Sequence, residues 1–309
     1  MSLGAPQPLK ATVNCDMGEG FSLYKMGDDE SLMKTIHLAN IACGFHASDF
    51  AVMNKTVDLA KDNSVLVGAH PSLPDLQGFG RREMAIEPDE LKSCFLYQVG
   101  ALTGFLRMNG MRLNHIKPHG AIYGQTARSI DLANAVVSVC KVFGDGWLGT
   151  TVSPSGNGVS SDGSGKHSSG VAFMGLAGTA HQTAAKAQDV PFIAEWFADL
   201  DYNDQGQLQI TKVHKPVTIK EVQDKTRTLL TKHQITTTSG NLLPIGEGVT
   251  EVSICCHSDT PVSGLMLPLR LFLPVLLNHV IIALQGAVEI AQAVKAVVDE
   301  INQAAGYTQ

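Results

Sequence analysis

The sequence predicts an α/β fold: a closed or nearly closed barrel of seven parallel strands alternating with helices. Three observations carry this. Short apolar runs alternate with helix-length segments, the pattern of βα units around a parallel sheet. Six of the seven runs end in Asp, Glu, His or Lys, which gathers polar groups at one mouth, where (β/α) barrels keep their chemistry. The stretch Leu113–Tyr123, LNHIKPHGAIY, puts His115, Lys117 and His119 on one strand face at period two, until Pro118 and Gly120 turn the chain away. A doubly wound open sheet is the competing architecture. It predicts a crevice at one switch point, not polar groups at nearly every strand end.

Lys10 to Asn14 is the first strand and runs into NCDMGEGF, with Asp16 and Glu19. Leu38 to Ala42 is the second, ending in NIACGFHASD, with Asn40 and His46 at its end and Asp49 as N-cap of a helix reaching Asp62. Val65 to Ala69 is the third, followed by His70, Asp75, Arg81 and Arg82. A helix from Glu87 to Gly110 carries Pro88 in its first turn and Gly110 as its stop. The fourth strand is the stretch already quoted, and Ser129 to Phe143 is the next helix. Val171 to Leu176 is the fifth strand, with a short helix, Thr179 to Ala187, behind it. Pro191 to Phe197 is the sixth, placing Glu195 and Asp199 on one face. Thr218 to Gln234 is a helix. Val252 to Cys256 is the seventh strand, leading to His257 and Asp259, and Ala287 to Ala304 is the last helix.

The 309 residues suit one barrel domain over residues 10–309. A net charge of −6 without Lys/Arg clusters argues against nucleic acid or an anionic membrane as partner. Six cysteines without C-x-x-C spacing read as reduced thiols of a cytoplasmic protein, and Cys15 and Cys43 as core thiols, not nucleophiles. The first residues lack the apolar core of a signal peptide. Residues 144–170 are Gly/Ser-rich and read as a flexible insertion. The DGSGKHS within it misses a phosphate-binding loop, which requires Gly at Ser160 and Ser or Thr at His167. His115 reads as half-buried and structural; His37, His181, His214 and His233 read as surface residues.

The motifs NCDMGE, NIACGFHASD, GAHPSLPDLQGFGRR, YQVGAL, HIKPHGAIY, EWFADLDY and SICCHSDTP resemble, in order, the LamB/YcsF family. That family comprises the A subunit of bacterial 5-oxoprolinase and the fungal lactam-utilisation protein. The resemblance covers most of residues 10–261 outside the Gly/Ser insertion. It implies a seven-stranded (β/α) barrel like that of glycoside hydrolases and polysaccharide deacetylases. It also implies ATP-dependent opening of 5-oxoproline to glutamate together with B and C subunits, and a homo-oligomer is compatible with it. Three departures stand out: Leu200 where the pattern has Arg, Ser258 where it has Gly, and QLQITKVHKPV after Gly206. A lost guanidinium removes a bidentate carboxylate or phosphate contact.

Opening a lactam requires polarising its carbonyl, activating a water and protonating the leaving nitrogen. Asp16 and Glu195 are candidate general bases. His70, His119 and His257 are candidate acids, bases or metal ligands. Lys117 can neutralise an oxyanion, and Arg81 or Arg82 can hold a carboxylate. Asn40, His46, Asp199 and Asp259 complete the expected substrate-binding set. Without a phosphate-binding loop, ATP is expected on a partner subunit. Deacetylase-like barrels hold a divalent ion with one Asp and two His, and by strand order Asp16, His70 and His119 take those places here. A metal-free hydrogen-bonded network of the same residues is the alternative. Two other functions compete: a metal-dependent deacetylase of N-acetylated sugars, and a non-catalytic scaffold subunit.

The run Val262–Gln285 is the most apolar in the chain, but Arg270, Asn278, His279, Pro268 and Pro274 interrupt it, so no membrane span is expected. Removing it joins Pro261 to Gly286 and restores HSDTPGAVEIAQAVKAVVDEI, which resembles the family's text. Valine codons begin GT and one glutamine codon is CAG, the boundaries of an intron. The segment therefore reads as a possible retained intron translated in frame, with a genuine apolar insertion as the alternative.

Overall fold

The computed structural model describes residues 6–144, 170–209, 215–246, 248–258, 260 and 275–307, of 275–285 the backbone alone. Six barrel strands come first: β1 (Lys10–Met17), β2 (Leu38–Ala42), β3 (Leu66–His70), β4 (Leu113–Ile116), β5 (Ala172–Gly175) and β6 (Phe192–Phe197). Four short strands follow, β7 (Asp201–Tyr202) with β8 (Leu208–Gln209) and β9 (Gln234–Thr236) with β10 (Leu242–Pro244), as two antiparallel pairs. The last barrel strand is β11 (Glu251–Cys256). The barrel runs β1-β2-β3-β4-β5-β6-β11 and closes back on β1, with every pairing parallel. Closure leaves the sheet no open edge.

The helices are α1 (Asp29–Met33), α2 (Phe50–Asp62), α3 (Pro88–Met108), α4 (Ala121–Arg128), α5 (Ile130–Cys140), α6 (Ala180–Ala187), α7 (Ile219–Lys232) and α8 (Val275–Ala305). Asp49 caps α2 as its position suggests, accepting from the amides of Ala51 and Val52. Helix α4 was not anticipated, and α5 stops at Cys140, short of the expected Phe143. Ser129 ends α4 in an extended conformation and caps α5 through Leu132 N. The two hairpins were likewise unanticipated. Helix α8 starts at Val275, twelve residues before the expected Ala287, so the apolar run feeds directly into the last helix. The remainder of that run, residues 262–274, lies outside the described residues, as do 145–169 of the Gly/Ser segment with its DGSGKHS, and His214.

Alternation explains what fills the barrel. On β1, Asn14 and Asp16 point inward and Val13 and Cys15 outward to the helix layer, all buried. β1 extends to Met17, beyond the expected end at Asn14, so Asp16 is a strand residue with a fixed direction. The interior is polar: Asn14, Asp16, Asn40, His115, Lys117, Glu195 and Ser253 are all buried. Along β4 the ladder outlasts the strand, because Lys117 N donates to Ala69 O and His119 N to Pro71 O, both at 2.9 Å. Pro118, with no N–H, falls between them.

His115 is fully buried, not half-buried, and a glycine makes room for it. A Cβ on Gly68 of β3 would lie 2.1 Å from His115 Nε2. Gly68→Ala is therefore expected to lower stability by about 1–3 kcal/mol, the usual cost of overpacking. An unchanged urea midpoint would contradict this. His181 is corrected in the same way. It is buried, not at the surface, seated against Gly175, with Nδ1 accepting from Leu176 N and Nε2 2.8 Å from Thr126 Oγ1. His37 and His233 are half-buried.

Asp29, at the start of α1, accepts from Gly18 N at 3.0 Å. Burial pushes its carboxyl up to about 6, against the lowering effect of that amide and with Glu19 and Asp28 adding to the rise. The folded state therefore holds a proton that the unfolded chain, near 3.8, releases earlier. The stability this group contributes is complete below pH 3.8 and is lost as pH rises through about 6. Asp29→Asn is expected to raise Tm at pH 7.5 and to change it little at pH 4. Equal shifts at both pH values would contradict the assignment.

Candidate active site

The C-terminal ends of β1, β3, β4, β6 and β11 enclose a small cavity of about 40 Å³. Asp16, His70, Arg81, Lys117, His119 and His257 line it, with Tyr123, Phe197 and Leu200 as apolar wall. Leu200 is the residue that replaces an Arg of the family pattern, so that departure falls on the cavity itself.

Lys117 is the centre of charge. Its Nζ lies 2.8 Å from Asp16 Oδ1, 2.8 Å from Glu195 Oε1 and 3.2 Å from Cys255 Sγ. Burial pushes its ammonium down, but Asp16, Cys255 and Glu195 outweigh burial and hold it well above the usual lysine range. Burial likewise pushes Asp16 up, but His70 and Lys117 outweigh it and hold Asp16 well below the ordinary carboxylate range. Asp16 therefore stands as the charged partner of Lys117 and His70. Glu195, fully buried, does not line the cavity and stands behind Lys117.

Asn40 does not face the cavity either. It donates to Asn14 Oδ1 and Asp16 Oδ1, both at 2.8 Å, and its Oδ1 lies 2.7 Å from His115 Nε2. Asn14 in turn donates to Ser253 Oγ at 2.8 Å. Asn14, Asn40, His115 and Ser253 form a floor under Asp16, a positioning role in place of the expected substrate contact. Burial, then Lys117, pushes His115 down to about 3, so it serves this floor as a neutral ring.

Two histidines have their tautomers fixed by carbonyls. His70 Nδ1 donates to Lys117 O at 2.9 Å, and His119 Nε2 donates to Phe79 O at 2.9 Å. Phe79 holds that carbonyl from a left-handed backbone, φ 54°. The remaining nitrogens, His70 Nε2 and His119 Nδ1, face each other at 2.9 Å, with Asp16 Oδ2 3.2 Å from His70 Nε2. Lone pairs this close require a proton or a cation between them. His46 stacks on His119 at 3.6 Å and places Nε2 3.1 Å from Glu19 Oε1. Burial pushes His46 down to about 3 and, with His46 and His70, His119 well below its usual range.

On the opposite wall, Asp199 accepts from His257 N at 2.8 Å, from His257 Nδ1 at 3.0 Å and from Thr260 Oγ1 at 2.8 Å. Asp199 therefore orients His257. The two arginines separate. Arg81 lines the cavity, whereas Arg82 turns to the surface and clasps Asp75, with Nε 2.9 Å from Asp75 Oδ1, and is removed from the substrate-binding set. Asp259 lies outside the described residues. Burial, the largest cause, pushes Cys15 well up and Cys43 to about 12, which suits core thiols.

Glu19 is the site residue that sequence reasoning assigned no role. It is three positions past Asp16, and Gly18, φ 67°, brings it back over the mouth. A Cβ on Gly120, φ 63°, would lie 2.5 Å from Gly80 O, so glycine there lets the His119 loop close on the Phe79 loop.

A closed parallel barrel with an acid–base network at the C-terminal ends of its strands defines the class: a (β/α) barrel with an enzyme-type mouth. The chain belongs to the LamB/YcsF family, whose model matches residues 11–157 and 163–267. It is 38% identical over 303 residues to the lactam utilization protein lamB of Emericella nidulans, covering 98% of this chain and 100% of that one. It is 35% identical over 254 residues to the A subunit of 5-oxoprolinase from Staphylococcus epidermidis, covering 81% of this chain and 89% of the relative. The crystal structure of a lactam utilization protein from Thermus thermophilus superposes with a TM-score of 0.71 at 28% identity, covering 97% of this chain and 98% of that one. Among the described residues, no helix is long and apolar enough to cross a membrane.

Proposed function

We propose that this chain opens a five-membered lactam of the 5-oxoproline class to the amino acid, as the A-type component of an ATP-dependent assembly with B- and C-type subunits. The observation that carries this reading is a buried ammonium, Lys117, presented to the cavity between two oriented imidazole systems. The names of the relatives support the substrate class.

Hydrolysis adds water to the lactam carbonyl, breaks the C–N bond and delivers a proton to nitrogen. Lys117 stabilises the oxyanion that forms on the carbonyl oxygen. His257, its Nδ1 anchored on Asp199, takes the proton from water. This is the role a carboxylate-oriented imidazole plays in acyl-transfer sites. His257 then returns that proton to the leaving nitrogen, and Asp16 holds Lys117 and His70 in place. Arg81 holds the substrate carboxylate. ATP, bound by a partner subunit, would transfer a phosphoryl group to the lactam carbonyl oxygen and leave as ADP; after water adds and the C–N bond breaks, the group would depart as inorganic phosphate, with Lys117 facing the charge this oxygen carries.

A second reading, a metal-dependent deacetylase acting on an N-acetylated sugar, draws on the convergent His and carboxylate donors at the same mouth. Combining the chain with its partner subunits, ATP and 5-oxoproline separates the two. Glutamate formation that requires this chain supports the lactam reading. Glutamate formation independent of the chain, or ATP-free release of acetate from an N-acetylated sugar by the chain alone, would overturn it.

A further inference from the structure

We propose that Glu19, His70 and His119 form a site for a single divalent transition-metal ion of the zinc class, with His46 positioning Glu19. The proposal is independent of which substrate the chain takes. His70 Nε2, His119 Nδ1 and Glu19 Oε1 are donor atoms within 4.8 Å of one another. His70 Nε2 to His119 Nδ1 is 2.9 Å and His119 Nδ1 to Glu19 Oε1 is 3.5 Å. Metal bonds of about 2.0–2.1 Å in a tetrahedron set ligands about 3.3–3.4 Å apart, so these donors already stand near the edges of one coordination polyhedron.

The imidazoles are prepared for this. Each has its far nitrogen donating to a backbone carbonyl, Lys117 O for His70 and Phe79 O for His119. That is the outer-shell arrangement that fixes a metal-binding tautomer. His46 Nε2 lies 3.1 Å from Glu19 Oε1 and stacks flat on His119. Stacked rings cannot both point their lone pairs at one ion, which leaves His46 to donate to Glu19 and orient it. Two His and one Glu leave a coordination position open, the pattern of catalytic and not structural zinc. His70 and His119 also line the cavity.

The ligand set differs from the Asp16, His70 and His119 that strand order suggested. Asp16 Oδ1 already accepts from Lys117 and Asn40, and Asp16 Oδ2, though 3.2 Å from His70 Nε2, is not among the donors that converge with those of His119 and Glu19. A second candidate group, Asp16, Cys255 and His257, has the Lys117 ammonium 2.8 Å from Asp16 and 3.2 Å from Cys255 Sγ, and a resident cation there repels another.

The test uses the full-length chain, stripped by dialysis against a chelator and titrated with Zn²⁺ by calorimetry and with Co²⁺ by visible absorption. One ion per chain is expected, with Kd below about 1 μM and the intense d–d bands of a low-coordinate Co²⁺ site. Glu19→Gln and His70→Gln are expected to remove stoichiometric binding. His46→Ala is expected to weaken it about 10–100-fold, as outer-shell losses do. Cys255→Ser is expected to leave it unchanged. Folded wild-type chain that takes up no stoichiometric ion overturns the proposal. So does a Glu19→Gln variant that binds like wild type, or loss of binding in Cys255→Ser.

Discussion

Replacing Lys117 with methionine is expected to abolish turnover and to lower stability by about 3–5 kcal/mol, the cost of removing one member of a buried ion cluster. The ammonium is 2% exposed and lies 2.8 Å from both Asp16 and Glu195. Methionine fills the volume but leaves two carboxylates facing each other in the barrel interior. One of them is expected to take up a proton, so the loss should be larger at pH 8 than at pH 5. Chemical denaturation at the two pH values checks this. A variant as stable as wild type at both would show that Lys117 does not compensate those charges.

His119→Ala is expected to lower turnover at least about 10²-fold, the scale of a lost electrostatic contact in an active site, and to leave the fold intact. The ring lies above the barrel, stacked on His46 and bonded to Phe79 O and His70, and supports no strand. Its loss opens space at the mouth and leaves His70 Nε2 without the ring that faces it. Circular dichroism and the rate of ring opening measure the two parts separately. A rate within threefold of wild type would remove His119 from the mechanism.

The strands were legible because each is a short apolar run closed by a polar residue, and barrel closure turned those ends into one site. Asp16, His70, Lys117 and His119 could be read from their positions at strand ends. What could not be read is what each side chain meets across the barrel. Asn40 meets Asn14 and His115, Asp199 meets His257, and Arg82 meets Asp75, and nothing local in the sequence encodes the first two. Asp16 looked like a base because its type suits one, but the charges of His70 and Lys117, which the sequence does not place beside it, hold its carboxyl low. Helix α4 escaped notice because eight residues give too little periodicity to register. His181 looked like a surface residue until Gly175, on another element, supplied a socket for it. Glu19 sat in view in NCDMGEGF, but its direction depends on the left-handed turn at Gly18.

The central claim is that the charge network at this mouth performs the ring opening. It is tested most directly by glutamate formation from 5-oxoproline in an assembly where this chain alone carries Asp16→Asn. Asparagine keeps the shape and the contact with Asn40 while removing the charge that holds Lys117 and His70 in place. The account predicts at least about a 10²-fold loss of rate with unaltered assembly and an unaltered circular dichroism spectrum. A rate within threefold of wild type would contradict it.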